Sequence, residues 1–133
     1  MYLETPQGRR LAYHKTEGTG PCVVFLGGLK SDMMGTKAVF LEDWAKREGR
    51  AFLRFDYFGH GESSGLFKDG TIGLWAEDAV YALDHLTEGP QVLVGSSMGG
   101  YVATVAAAKT KSRGLFLMAP AFYLGGQANF DEL

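Results

Sequence analysis

The apolar and polar positions along the chain follow two different periods, which predicts strands interleaved with helices. One part of the pattern is a set of short, mostly apolar runs, which are typical of strands buried on both faces of a parallel sheet. Four of them occur, at residues 22–26, 51–56, 91–94 and 114–119. Ahead of them, residues 2–5 and 9–14 flank a Pro-Gln-Gly turn, and this pattern predicts an antiparallel hairpin.

The segments between the apolar runs have the spacing of apolar residues that is typical of amphipathic helices. Three helices are predicted, at about residues 33–48, 71–86 and 101–109. In the first helix an apolar stripe is predicted to face the core, and a charged face is predicted to face solvent. The stripe is Met34, Ala38, Leu41 and Ala45, and the charged face is Glu42, Asp43, Lys46 and Arg47. Strands that alternate with helices predict an α/β fold, a three-layer sandwich around a mostly parallel sheet of about six strands, in a single domain over residues 1–133.

Composition narrows the classes of function. The chain has 133 residues and a net charge of −2, so no basic surface indicates nucleic acid or an anionic membrane as a partner. No apolar run approaches the ~20 residues of a membrane-spanning helix, and the first residues do not resemble a signal peptide. The single cysteine, Cys22, excludes an internal disulfide and a cysteine-rich zinc site, and it makes a cytoplasmic location the default expectation.

Candidate chemistry is expected at the carboxyl ends of the strands, because ligands bind there in open parallel sheets. Of the loops that leave those ends, residues 95–99 read Gly-Ser-Ser-Met-Gly, between a predicted strand and a predicted helix. This matches G-x-S-x-G, a sharp turn that holds its serine at positive φ and directs the hydroxyl out above the sheet. Gly95 and Gly99 leave room for the backbone to pass close to its neighbours.

Two other glycine-rich motifs do not fit this loop. A dinucleotide-binding G-x-G-x-x-G motif would need glycine where Ser97 stands, and a phosphate-binding P-loop would need lysine where Tyr101 stands. A plain strand-to-helix turn without chemistry remains the structural alternative. We therefore expect no nucleotide cofactor.

Three segments together resemble the α/β-hydrolase superfamily, in the order that the family uses. Residues 27–29 (Gly-Gly-Leu) resemble its oxyanion segment, residues 56–63 (Asp-Tyr-Phe-Gly-His-Gly-Glu-Ser) its D-x-x-G-x-G-x-S turn, and residues 95–99 its nucleophile elbow. The sequence around them resembles a branch that contains bacterial serine hydrolases and a mitochondrial enzyme that acts as an acyl-protein thioesterase and an acyl-glucuronide esterase.

The resemblance implies a role for several residues. Ser97 would be the nucleophile, and the backbone N–H groups of Leu29 and Met98 would form the oxyanion hole. Asp56 would hold the loop that follows it. The substrate would be a small acyl ester or thioester, and the chemistry would need no metal or organic cofactor.

The family's histidine and its usual acid follow later strands, so we expect the C-terminal third of the fold to be absent. His14 and His85 are predicted at the edge opposite Ser97. His60 is predicted on the catalytic edge, two strands away, either as the base or as a residue that holds its own loop. Asp131 follows the last predicted strand, either as the acid or as part of a terminus.

Two functions therefore remain open. One is a serine hydrolase, and the other is a hydrolase fragment without its own base that serves in folding or assembly. In both cases the strand at residues 114–119 would become an apolar sheet edge, which predicts a homo-oligomer formed through that strand.

Overall fold

In the computed structural model, residues 1–110 and 112–118 are described, and they form a six-stranded sheet with α-helices on both faces. The strands are β1 (Tyr2–Glu4), β2 (Arg10–Thr16), β3 (Thr19–Leu26), β4 (Arg50–Phe55), β5 (Gln91–Ser96) and β6 (Ser112–Met118). The α-helices are α1 (Thr36–Glu48), α2 (Ile72–Leu86) and α3 (Met98–Lys109). None of the described helices is both long and apolar enough to cross a bilayer.

The sheet has the order β1-β2-β4-β3-β5-β6. β1, β2 and β4 pair antiparallel, whereas β4, β3, β5 and β6 pair parallel. The predicted α/β class, the hairpin and the mostly parallel sheet are thus confirmed. Because β3 lies between β4 and β5, the loops that follow these three strands meet at one edge of the sheet.

Side chains of β3 alternate between two apolar layers, as expected for a strand covered on both faces. Cys22, Val24 and Leu26 belong to the larger cluster, which packs against α2 and α3. Val23 and Phe25 belong to the smaller cluster, which packs against α1. The three-layer arrangement follows from this alternation.

Helix α2 begins and packs as predicted. The Thr71 hydroxyl accepts a hydrogen bond from the Leu74 N–H at 3.1 Å, which satisfies one of the free donors at the helix start. Trp75, Ala79 and Leu83 of its inner face are fully buried. Trp75 of this helix also packs edge-on against His60, in the loop after β4.

The prediction for the first helix is wrong in two respects. α1 begins at Thr36, after Gly35, so Met34 lies before the helix and is 60% exposed instead of facing the core. Glu42, which the charge pattern predicts on the solvent face, is buried at 7% exposure. The physical reason is a partner on the neighbouring strand, because the buried guanidinium of Arg54 binds the Glu42 carboxylate.

Smaller differences concern element boundaries. β3 begins at Thr19, three residues before the predicted run, and includes a cis Gly20-Pro21 peptide bond. Helix α3 begins at Met98, directly after Ser97. β6 covers Ser112–Met118, and the remainder of the predicted last strand, Ala119, lies outside the described residues.

Candidate active site

The turn between β5 and α3 has the strained geometry that the motif predicts. Ser97 has φ 56° and ψ −121°, and it is one of two non-glycine residues with positive φ among those described. A Cβ atom at Gly95 would collide with the backbone carbonyl of Gly99, and a Cβ atom at Gly99 would collide with the carbonyl of Leu26. Both glycines are therefore required for α3 to start this close to the end of β3.

The Ser97 hydroxyl is left available by this conformation. Serine at the start of a helix ordinarily caps it by accepting a backbone N–H, but Ser97 makes no such side-chain bond. The residue is half-buried, and its hydroxyl bonds to no other described residue. The turn thus presents a hydroxyl without a partner among the described residues, at the edge of the sheet where β3, β4 and β5 end.

The loop after β3 lies against this serine. A Cβ atom at Gly28 would lie 3.4 Å from the Ser97 Cβ and 3.6 Å from the Ser96 carbonyl oxygen. Leu29, whose N–H is the predicted second donor, is the next residue. Met98, whose N–H is the predicted first donor, opens α3, where N–H groups have no partner within the helix. The structure therefore places Met98 directly after Ser97 at the start of α3, and Gly28, the residue before Leu29, against Ser97.

The loop after β4 makes hydrogen bonds to the loop after β3, which contains the predicted oxyanion segment. The buried Asp56 carboxylate accepts the Met33 N–H at 2.7 Å and the Glu62 N–H at 2.9 Å, and it thereby joins the two loops. The Tyr57 hydroxyl donates to the Gly27 carbonyl at 2.9 Å. Burial raises the pKa of Asp56, although the two N–H groups favour its ionised form. The expected structural role of Asp56 is present, and it extends to both loops.

All three histidines of the chain lie among the described residues, and none has a hydrogen bond to Ser97. His14 is exposed on β2, and His85 is exposed on α2, where its Nδ1 lies 2.9 Å from the Tyr81 carbonyl. His60 is 4% exposed, and both of its ring nitrogens are engaged elsewhere, with Lys30 and Phe58. The structure therefore places the predicted base beside the oxyanion segment and not on the nucleophile. Asp131, the predicted acid, lies outside the described residues.

A cleft of about 280 Å³ opens between the oxyanion segment and the start of α1. Gly28, Ser31 and Ser96 contribute to its lining, and the Lys37 ammonium donates to the Ser96 hydroxyl at 3.2 Å. No sequence pattern singles out Lys37, because only the return of α1 over the sheet brings it there. Since Gly28 and Ser96 both adjoin Ser97, the cleft opens next to the turn and has room for a small group.

Neither a metal site nor a reactive cysteine thiol is found among the described residues. No group of three or more histidine, cysteine, aspartate or glutamate side chains in residues 1–110 and 112–118 is arranged to hold a metal ion. Cys22 is buried at 5% exposure, and burial raises the pKa of its thiol to about 11, so the reactive thiolate is scarce at neutral pH. The elbow at Ser97 remains the candidate nucleophile.

Comparisons with known proteins agree with this geometry. Human palmitoyl-protein thioesterase ABHD10, mitochondrial, is 43% identical over 106 residues, which is 80% of this chain and 35% of that protein. The bovine protein of the same name is 44% identical over 101 residues, 76% of this chain and 33% of its own length. The chain thus spans about a third of the length of the curated relatives it matches.

Solved structures match more of the chain. The mouse α/β hydrolase domain-containing protein 10 superposes with a TM-score of 0.87 at 41% identity, and the match covers 91% of this chain and 49% of that one. A putative hydrolase from Agrobacterium vitis S4 superposes with a TM-score of 0.82 at 39% identity, and the match covers 90% of this chain and 50% of that one. The family profile described as serine aminopeptidase, S33 (Hydrolase_4) matches residues 20–131. With the elbow, the oxyanion segment and the sheet order in place, the chain belongs to this family of α/β hydrolases.

Proposed function

We propose that the chain carries the nucleophile and the oxyanion hole of a serine hydrolase that cleaves carboxylic esters or thioesters. The observation that carries the proposal is the positive φ of Ser97, which lies against Gly28 and whose half-buried hydroxyl has no hydrogen bond to another described residue. A strained turn of this kind persists only where the surrounding structure holds it, and such strain clusters at functional sites.

The proposed chemistry proceeds in two halves. The Ser97 oxygen attacks the carbonyl carbon while its proton passes to a base, and the carbonyl oxygen becomes an oxyanion that accepts the N–H groups of Leu29 and Met98. Collapse of this intermediate breaks the bond to the alcohol or thiol, which leaves with a proton. Water then attacks the acyl-enzyme by the same route and restores the serine. Because no described residue accepts a hydrogen bond from Ser97, we assign the base to a group outside the described residues.

The class of substrate is proposed from the relatives and from the cleft. The ABHD10 relatives are named palmitoyl-protein thioesterases, which favours an acyl thioester as substrate. The cleft of about 280 Å³, whose lining includes the neighbouring Gly28 and Ser96, suits a small acyl or leaving group. A cytoplasmic location stays a prediction made from the single cysteine.

The proposal is tested by chemical labelling of the native protein. A fluorophosphonate probe is expected to attach to the tryptic peptide that contains Ser97, and heat-unfolded protein is expected to remain unlabelled because the turn is lost. Native protein is also expected to hydrolyse p-nitrophenyl acetate and acetylthiocholine. If it neither labels nor turns over either substrate, the function in folding or assembly replaces the hydrolase.

We also propose that two copies associate through β6. This strand pairs with β5 on one side and with no other described strand, and its Leu115 is 41% exposed. Unpaired apolar edges recruit further strands. Light scattering at micromolar concentration is expected to give the mass of two chains, and Leu115→Lys is expected to shift the protein toward the mass of one. A single-chain mass for the unmodified protein would exclude the dimer.

A further inference from the structure

His60 is embedded in a wall of aromatic rings directly beneath the oxyanion segment. Its ring lies edge-on to Tyr57, Phe67 and Trp75, with centroid distances of 5.4, 5.3 and 5.1 Å. At 4% exposure it has almost no contact with solvent. Packing of this kind fixes the plane of the imidazole, and with it the directions of both ring nitrogens.

The two hydrogen-bond partners of His60 determine its tautomer. The Phe58 carbonyl lies 3.0 Å from Nδ1 and can only accept, so Nδ1 carries the hydrogen. The Lys30 N–H lies 3.1 Å from Nε2 and can only donate, so Nε2 presents its lone pair. The Phe58 carbonyl also accepts the Trp75 indole N–H at 2.9 Å, which holds it in place. His60 is therefore a neutral hydrogen-bond acceptor aimed at a backbone N–H.

That backbone N–H belongs to the residue that follows Leu29. Lys30 has φ 61°, in the left-handed region, which is unfavourable for a non-glycine residue and requires support from its surroundings. On the other side of Leu29, the Tyr57 hydroxyl holds the Gly27 carbonyl at 2.9 Å. The peptide groups on either side of the one that carries the Leu29 N–H are thus each anchored by the loop after β4, while the Gly28 carbonyl of that peptide itself accepts the Ser31 N–H at 3.2 Å and the Ser31 hydroxyl at 2.8 Å.

We propose that His60 is a positioning residue that directs the Leu29 N–H into the oxyanion hole through its bond to the Lys30 N–H. The inference rests on the proposed hydrolase function of Ser97. It assigns His60 a role other than that of a base, because the lone pair that a base would use already accepts the Lys30 N–H. What the site requires of residue 60 is a buried acceptor at the position of Nε2.

Two variants separate the acceptor from the ring. His60→Phe keeps a ring among Tyr57, Phe67 and Trp75 but removes the acceptor, and His60→Gln replaces Nε2 by an amide oxygen. We expect His60→Phe to lower the rate constant of fluorophosphonate labelling and kcat for p-nitrophenyl acetate by about 100-fold with little change in KM, the loss typical of one oxyanion donor. His60→Gln is expected to recover at least tenfold of this loss. His85→Phe removes an exposed histidine that also contacts a carbonyl, and it is the matched control with no expected effect.

Amide hydrogen exchange gives a readout that does not depend on activity. The Lys30 amide is expected to be protected in the wild-type protein and in His60→Gln, and to exchange faster in His60→Phe, while thermal melts show all three folded. Equal Lys30 exchange in all three proteins would overturn the inference, as would a His60→Gln variant as slow in labelling as His60→Phe. If the wild-type protein fails to label, the hydrolase function fails, and the Lys30 exchange pattern still decides whether His60 holds this loop.

Discussion

Replacing Ser97 by alanine is expected to lower the hydrolysis of p-nitrophenyl acetate and acetylthiocholine by at least about a thousand-fold and to abolish fluorophosphonate labelling. Loss of the nucleophile in a serine hydrolase costs up to about a million-fold, because the covalent route is closed and only binding and oxyanion stabilisation remain. Initial rates and intact-protein mass after probe treatment measure the effect. The fold is expected to persist, since the Ser97 hydroxyl has no hydrogen bond to other described residues.

The matched control for this variant lies on the same helix. Thr104→Ala removes a hydroxyl that donates to the Gly100 carbonyl at 2.8 Å, one turn into α3, away from the elbow. It is expected to leave the rate within about threefold of the wild-type rate. A Ser97→Ala variant that still labels, or that hydrolyses within tenfold of the wild-type protein, would place the nucleophile elsewhere.

The elbow could be predicted from sequence because its constraints are local. The strain at Ser97 and the glycines on either side of it follow from a strand that turns into a helix within a few residues. Glycine is required at position 99 because a long-range neighbour, the Leu26 carbonyl, would collide with a Cβ atom there. That close approach is implied once β3 and β5 are neighbours in a parallel sheet. The apolar runs of these two strands predict that they are buried in such a sheet. The predicted fold and the predicted elbow geometry therefore agree with the structure.

The supporting contacts could not be predicted, because they join residues that are distant in sequence. His60 and Lys30 are thirty positions apart, and no periodicity relates a buried imidazole to a particular backbone N–H. Charge patterning likewise assigned Glu42 to solvent, since a carboxylate on an amphipathic helix usually faces water. Its actual position depends on Arg54, a residue of the opposing strand.

The pair of Glu42 and Arg54 connects helix α1 to the site. The guanidinium donates through Nε to Glu42 at 2.9 Å and through a second nitrogen at 3.1 Å, a bidentate arrangement buried beneath the helix. It also donates to the Met33 carbonyl at 2.8 Å, and the Met33 N–H in turn binds Asp56. The loop after β3, which contains Met33 and residues 27–29, is therefore attached to the sheet through Arg54 of this pair as well as through the loop after β4.

Glu42→Gln is expected to lower the free energy of unfolding by about 3 kcal/mol at neutral pH, because removal of one charge from a buried pair leaves the other uncompensated. Urea denaturation followed by circular dichroism measures the change. Lys46→Ala provides the control, since Lys46 approaches the same carboxylate at 3.6 Å from a side chain that is 58% exposed. Pairs at the surface contribute little, so a loss below about 1 kcal/mol is expected for that variant.

The difference in the free energy of unfolding between the wild-type protein and Glu42→Gln is expected to shrink as the pH falls. The hydrogen bonds from Arg54 lower the pKa of Glu42 below its ordinary value of 4.5, so the folded state binds the Glu42 proton less tightly than the unfolded state. The stability that the ionised carboxylate contributes is complete above that value and is lost as the pH falls through the lower, folded-state pKa. Other carboxylates, Asp56 among them, titrate alike in both proteins and cancel in the comparison. The gap between wild-type protein and Glu42→Gln should therefore narrow below about pH 4.5, and a gap that stays constant or widens on acidification would show that Glu42 is not held as the ionised partner of Arg54.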